Sequence, residues 1–209
     1  MAVLLDLIIL EIYKQYLKLY MNSETFCPKN RQEWRTWLEE HHQTKQSIWL
    51  IYYKGNTAIA SISYSDAVEE ALCFGWIDST RRSLDEHTYT QFFCKRKPKS
   101  VWSKVNKAKV QRLIEQGLMT AAGFNSINTA KANGSWTILD NVEELIIPEE
   151  LEAAFKRHEG SKTYFLSLSK SVRKAILQWL VLAKRPETVE KRVDEIASLA
   201  AKSMKPKQF

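Results

Sequence analysis

The chain is short of the residues from which most metal and catalytic sites are built. Its 209 residues include four histidines and three cysteines. His41, His42, His87 and His158 are dispersed, and the His41-His42 pair reads as a solvated helix end, so no metal is expected. Cys27, Cys73 and Cys94 are odd in number and follow neither zinc spacing nor a disulfide framework, so reduced thiols in a cytoplasm are the simplest account. Glycine is also scarce. Gly117 to Gly123 and Gly134 lack the Gly-x-Gly-x-x-Gly or phosphate-loop form, so no nucleotide or other cofactor is expected. Nor is there an uninterrupted apolar run of the roughly 20 residues a spanning helix needs. Met1 to Tyr20 is rich in Leu and Ile, but Asp6 and Glu11 interrupt it, and it has neither a basic leader nor a small-residue cleavage site. A peripheral helix is expected over residues 1–25, with Met21 as an alternative start.

What remains is a well-mixed globular composition, 44% hydrophobic and 26% charged. The net charge of +7 is unevenly spread. Residues 95–112 carry 8 cations and no anion, and 156–209 carry 13 cations against 5 anions; 1–94 and 113–155 lean acidic. Such blocks attract phosphate, anionic lipid or acidic protein, or pair with the acidic blocks of their own fold.

Local patterns predict the elements. Asn30 and Glu33 form a capping box for a helix over 31–42 that buries Trp34, Trp37 and Leu38. Ser47 to Tyr53 is aromatic and β-branched up to the turn Lys54-Gly55-Asn56, hence a strand. Ser63 and Asp66 cap a second helix ending at Gly75. Strands from Trp76 and over His87–Cys94 suggest a hairpin. After Pro98, Ser100 or Ser103 caps a helix to Gln116, and another covers Thr120–Ala132, weakened by Gly123. Beyond 140–147 the chain reads as wholly helical. Pro148 opens a helix to Arg157, and stripes follow at Val172, Ile176, Trp179, Leu180 and Ala183, and at Val189, Val193, Ile196, Ala197 and Ala200. The expected fold is α+β: a small antiparallel sheet packed by helices, then an all-helical C-terminal tail. The expected division is 1–25, 26–145 and 146–209.

The stretch from Ala71 to Lys109 gathers a carboxylate, cations, hydroxyls, an amide and two tryptophans. Trp102, Asn106, Val110 and Leu113 share one helical face, so an amide sits on an apolar stripe and needs partners, for which Asp78 and Arg96 are the candidates. Two readings follow. Asp78, Arg96 and Asn106 form an internal network, or they line a pocket between Trp76 and Trp102, with Ser100 and Ser103, for an anionic or polar ligand. No nucleophile and base stand at a spacing that a mechanism demands, and Cys73, beside Phe74 on an amphipathic helix, reads as core.

The elements Ala-Leu-Cys-Phe-Gly-Trp-Ile-Asp (71–78), Lys-Pro-Lys-Ser-Val-Trp-Ser-Lys-Val-Asn (97–106), Gly117-Leu118-Met119, Gly134-Ser135-Trp136 and Ala183-Lys184-Arg185-Pro186-Glu187-Thr188 occur in order. In these the chain, from Phe26 to Lys205, resembles the bacterial YdeI/OmpD-associated family. Cys94-Lys95 stands where that family more often reads Thr-Pro, and Val189 replaces an arginine. The resemblance implies an α+β body with a helical tail and a link to bacteriocin or antimicrobial-peptide protection and stress response, with no established reaction. A cytoplasmic, non-enzymatic binding or interaction protein is therefore expected, its partner a small polar or anionic ligand or a protein. The alternatives are a small-molecule enzyme using Asp78 and Arg96, and a nucleic-acid-binding protein using 95–112 and the C-terminal basic segment.

Overall fold

The computed structural model describes residues 24–55 and 59–209. The expected helix over 1–25 lies almost wholly outside the described residues. The chain forms two compact units: residues 1–98 with 108–129, and residues 99–107 with 130–209.

In the first unit, β1 (Thr25–Phe26) leads into α1 (Arg31–His41), β2 (Ser47–Tyr53), α2 (Tyr64–Cys73) and the hairpin β3 (Trp76–Ser83) and β4 (Thr88–Lys95). The sheet order is β1-β2-β4-β3. The sheet is mixed rather than purely antiparallel, because β1 pairs parallel with β2. The reason is the connection: α1 carries the chain back across the sheet, and such a crossover makes parallel neighbours. Two residues are too short for a strand pattern to be visible in the sequence.

The capping box at α1 is real: Asn30 Oδ1 accepts from the Glu33 N–H at 2.9 Å, and the Glu33 carboxylate accepts from the Lys29 N–H at 2.9 Å. Alternation along β2 buries Ile48, Leu50 and Tyr52 on one face, opposite Phe93, Gln91 and Tyr89 of β4. The helices α1 and α2 close this face. Trp34 meets Phe93 edge-on at 5.6 Å and donates its indole N–H to the Ala67 carbonyl at 3.1 Å. The hairpin turn is closed by Asp85, whose carboxylate accepts from the N–H groups of His87 and Thr88. Between Asp78 and Arg81 the register slips by one residue, a bulge on β3 that the Gln91 side-chain amide satisfies by donating to Ser79 O at 3.0 Å.

Two helices cross the division between the units. In α3 (Lys104–Glu115) Ser103 is the cap, its Oγ accepting from Asn106 N–H at 3.2 Å. Then follows α4 (Ala121–Ala132).

The rest of the second unit is helical: α5 (Asp140–Glu143), α6 (Glu149–Arg157), α7 (Ser161–Ser167), α8 (Lys170–Val181) and α9 (Pro186–Ala201). Pro148 stands just before α6 as its cap, and Pro186 is the first residue of α9, where a missing N–H leaves no bond unmade. The stripes interlock into an apolar core of Leu151, Phe155, Phe165, Ile176, Leu177, Leu180, Val193 and Ile196. Ala183 lies beyond the end of α8, so that stripe is one residue shorter than its periodicity suggests.

Candidate functional site

The turn between α2 and β3 organises a cavity in the first unit. Gly75 has φ +71, a left-handed conformation, and a Cβ there would stand 2.9 Å from the Ala122 carbonyl. Its own carbonyl accepts from the Arg96 N–H at 2.9 Å, so the chain leaving β4 is tied to the Gly75-Trp76 turn. From the other side, Thr120 donates both N–H and Oγ–H to the Cys73 carbonyl, at 3.2 and 2.6 Å. This seats the start of α4 against the end of α2. Gly123 permits the approach, since a Cβ there would lie 2.3 Å from Cys73 O. The residue that weakens α4 as an isolated helix is the one its packing requires.

These constraints shape an open cavity of about 730 Å³ at the surface of the unit. Phe74, Trp76 and Pro98 give it apolar wall; His42, Gln43, Lys95, Arg96, Asn125, Ser126 and Thr129 give it polar wall. Burial pulls the Arg96 guanidinium down to about 10, against the opposing influence of the Asp78 charge. A guanidinium keeps its proton at any ordinary pH, so the shift marks a charge held largely out of water. Lys95 is anchored by donating from Nζ to the Gln43 carbonyl at 2.7 Å. His42 Nδ1 lies 2.8 Å from the Leu38 carbonyl, which can only accept; Nδ1 therefore carries a proton and Nε2 is the open nitrogen.

Of the residues singled out from sequence, Trp76 and Arg96 line this cavity. Asp78 belongs to a neighbouring polar cluster. It accepts from the Tyr64 hydroxyl at 2.7 Å and from the Gln91 amide at 3.3 Å. Tyr89 stacks on buried Tyr52 at 4.8 Å and carries the Arg81 guanidinium over its ring at 3.8 Å. Burial, then the Asp78 carboxylate, pushes the Tyr64 hydroxyl well above the ordinary phenol range. Ser100, Trp102, Ser103 and Asn106 fall in the second unit. There Trp102 is buried against Trp136, ring centroids 4.9 Å apart, and Ser103 and Asn106 form the cap of α3.

Sequence reasoning missed an ion-pair network in the first unit. Glu70, 1% exposed, is held by Arg31 at 2.5 Å and Arg35 at 2.8 Å. Glu69 is held by Lys109 at 2.8 Å and Arg112 at 2.5 Å. Burial alone would raise the Glu69 carboxyl, but these two cations bring it below its ordinary value. Part of the 95–112 block is thus engaged with the protein's own acids; Lys104 and Lys107 pair with Glu144 and Asp140 in the second unit. Cys73 is fully buried and its thiol is pushed up to about 11 by burial, which fits a core residue. All three cysteines are free, and no cluster of potential metal ligands occurs among the described residues. The cavity residues His42, Lys95, Asn125, Ser126 and Thr129 also went unread. The last three, one turn apart on α4, were the available signal.

Two family models divide the chain. Residues 26–126 match a domain of unknown function, DUF8412. Residues 144–203 match a second model, described as "Bacteriocin-protection, YdeI or OmpD-Associated". The C-terminal segment is similar to that YdeI/OmpD-associated family. The span that the sequence elements assign to one family is therefore covered by two models. The cavity and the Asp78 cluster lie within or beside the first model's span, and the apolar helical core lies largely within the YdeI/OmpD-associated segment. No curated protein and no solved structure matches the chain. No helix among the described residues is long and apolar enough to cross a membrane.

Proposed function

We propose that the protein is a non-enzymatic binding protein that holds a small polar molecule in the cavity between the Gly75-Trp76 turn and α4. The observation that carries this reading is the cavity itself. Its volume lies in the range of small-molecule sites, and it joins an apolar wall to a few convergent polar groups. Of the two carboxylate-dependent readings, catalysis is the weaker, since Asp78 is not among the cavity-lining residues and is held by Tyr64 and Gln91. Nucleic-acid binding through 95–112 is disfavoured by the acids that already engage Lys104, Lys107, Lys109 and Arg112. The link to bacteriocin protection rests on the likeness of the C-terminal segment to its family, and we attach it to this chain as the setting in which such a binding protein works.

Isothermal titration against a panel of metabolites and peptides tests this, with the parent protein, Arg96→Ala and Asp78→Ala. At least one compound binds the parent, Arg96→Ala weakens it roughly tenfold or more, about 1.4 kcal/mol, and Asp78→Ala leaves it nearly unchanged. A parent protein that binds nothing, or a ligand that depends on Asp78 and not on Arg96, overturns the reading.

A further inference from the structure

We infer that the cavity selects a small organic anion, a carboxylate or phosphate monoester carried on a compact apolar body. The inference rests on the cavity being a ligand site and names the class of ligand it takes. Three kinds of observation support it.

The first is sign. Lys95 and Arg96 line the cavity, and no carboxylate is among its lining residues. In a concave, partly desolvated site, cations without lining acids produce a potential that draws an anion in and repels an amine.

The second is positioning. The Arg96 backbone is tied to Gly75 O, which places its side chain at the cavity, and the Lys95 ammonium is held by Gln43 O. A guanidinium presents paired N–H donors that match the two oxygens of a carboxylate or phosphate, and charge-assisted bonds of this kind are about twice as strong as neutral ones. The neutral groups converge to the same end, because Asn125, Ser126 and Thr129 stand one turn apart on α4 and supply further donors. The N-terminal turn of α4, through Ala121 and Ala122, adds the positive end of a twelve-residue helix.

The third is shape. Phe74, Trp76 and Pro98 form the apolar wall, while the Trp76 indole N–H is already turned to His42 O at 3.4 Å. Trp76 is fully buried and Phe74 nearly so, so the apolar surface offered to a ligand is that of Pro98, Ala121 and Ala122. The volume admits a compact molecule of one or two rings and excludes a folded polymer.

The test uses four probes of one size that differ in charge: phenyl phosphate, benzoate, benzyl alcohol and benzylamine. Binding is read by calorimetry and by shifts of the indole and amide resonances of Trp76, Gly75 and Thr129 on the full chain. Phenyl phosphate and benzoate are expected to perturb these resonances, the alcohol to bind roughly tenfold or more weakly, and the amine not to bind. Lys95→Ala and Arg96→Gln should each weaken the anions about tenfold while leaving the alcohol unchanged. If Arg96→Gln fails to fold, Arg96→Lys and the half-exposed Lys95→Ala carry the same comparison. Equal or tighter binding of the alcohol or amine, with the cavity resonances shifting, overturns the anion assignment and leaves the binding reading standing. No shift at the cavity from any probe at millimolar concentration overturns both.

Discussion

The two compact units solve the problem of burial with different chemistry. The second packs apolar side chains without buried carboxylates, mostly aliphatic with Phe155 against Phe165 and Trp102 against Trp136, and Leu151, Ile176, Leu177 and Ile196 are essentially without exposure. The first packs tryptophans and tyrosines, and it also buries two adjacent carboxylates, Glu69 and Glu70, which it neutralises with four cations from α1 and α3. An apolar core gains free energy from area alone and is indifferent to pH and salt. A core with buried ion pairs gains little net energy from them, yet loses much when one partner is removed. The unit with the costlier interior is the one that contains the cavity. The cavity and the buried charge thus occur in the same unit.

Substitutions can break or sharpen this contrast. The largest expected effect is Leu177→Ala in the second unit, which should cost about 3–4 kcal/mol through lost burial and a residual cavity. Denaturant unfolding should give nearly the same loss at pH 4.5 and pH 7.5. Glu70→Ala in the first unit should cost about 3 kcal/mol, because Arg31 and Arg35 are left facing each other at reduced exposure. Hydrogen exchange resolved by peptide should place the Glu70→Ala loss in β2, α2 and α3 rather than in α6 to α9; a uniform loss would erase the contrast.

Gly123→Ala should cost about 2 kcal/mol by forcing α4 away from the Cys73 carbonyl. Thermal denaturation measures that cost, and the same variant should bind cavity ligands more weakly because α4 is one of the walls. Acid provides the next test. The folded Glu69 carboxyl titrates below its unfolded value, so its contribution to stability is present above about pH 4.5 and is lost as pH falls through the lowered folded value. The melting temperature of the parent should therefore fall below about pH 4.5, and Glu69→Gln should flatten that fall. The second unit has one comparable group, Glu143, drawn down by Lys174, but that lysine is considerably exposed and the effect should be smaller. The smallest change is Lys131→Ala, which removes one of two ammonium groups standing over the Trp136 ring and should cost no more than about 0.5–1 kcal/mol.

Much of the fold was legible because it is written in local chemistry. Asn30, Ser63 and Ser103 are helix caps whose side chains bond where their spacing says they should, and Pro186 opens α9 as its ring geometry dictates. Alternation marks β2, and Gly75 marks the turn. What was not legible depends on contacts distant in sequence. β1 exists only through its partner. The pairing of Glu69 with Lys109 and Arg112 joins residues some forty positions apart, so the charged helix faces looked solvated when read singly. The candidate site was half legible for the same reason. The motif at 71–78 and the arginine after β4 pointed to Trp76 and Arg96, but the other walls come from α4 and from the end of α1, which carry no motif. Asp78 stands on β3 where its charge acts on Arg96, and its hydrogen bonds to Tyr64 and Gln91 were not legible, because the bulge beside it and the Tyr64 hydroxyl are features of packing rather than of pattern.

The most direct measurement is a crystal structure of the protein soaked with phenyl phosphate, with the unsoaked protein as control. The account predicts density for the phosphate within hydrogen-bond reach of Arg96 and for the ring against Pro98, Ala121 or Ala122. Density for the probe elsewhere on the chain with the cavity solvent-filled, or a cavity closed by side chains in both crystals, would contradict it.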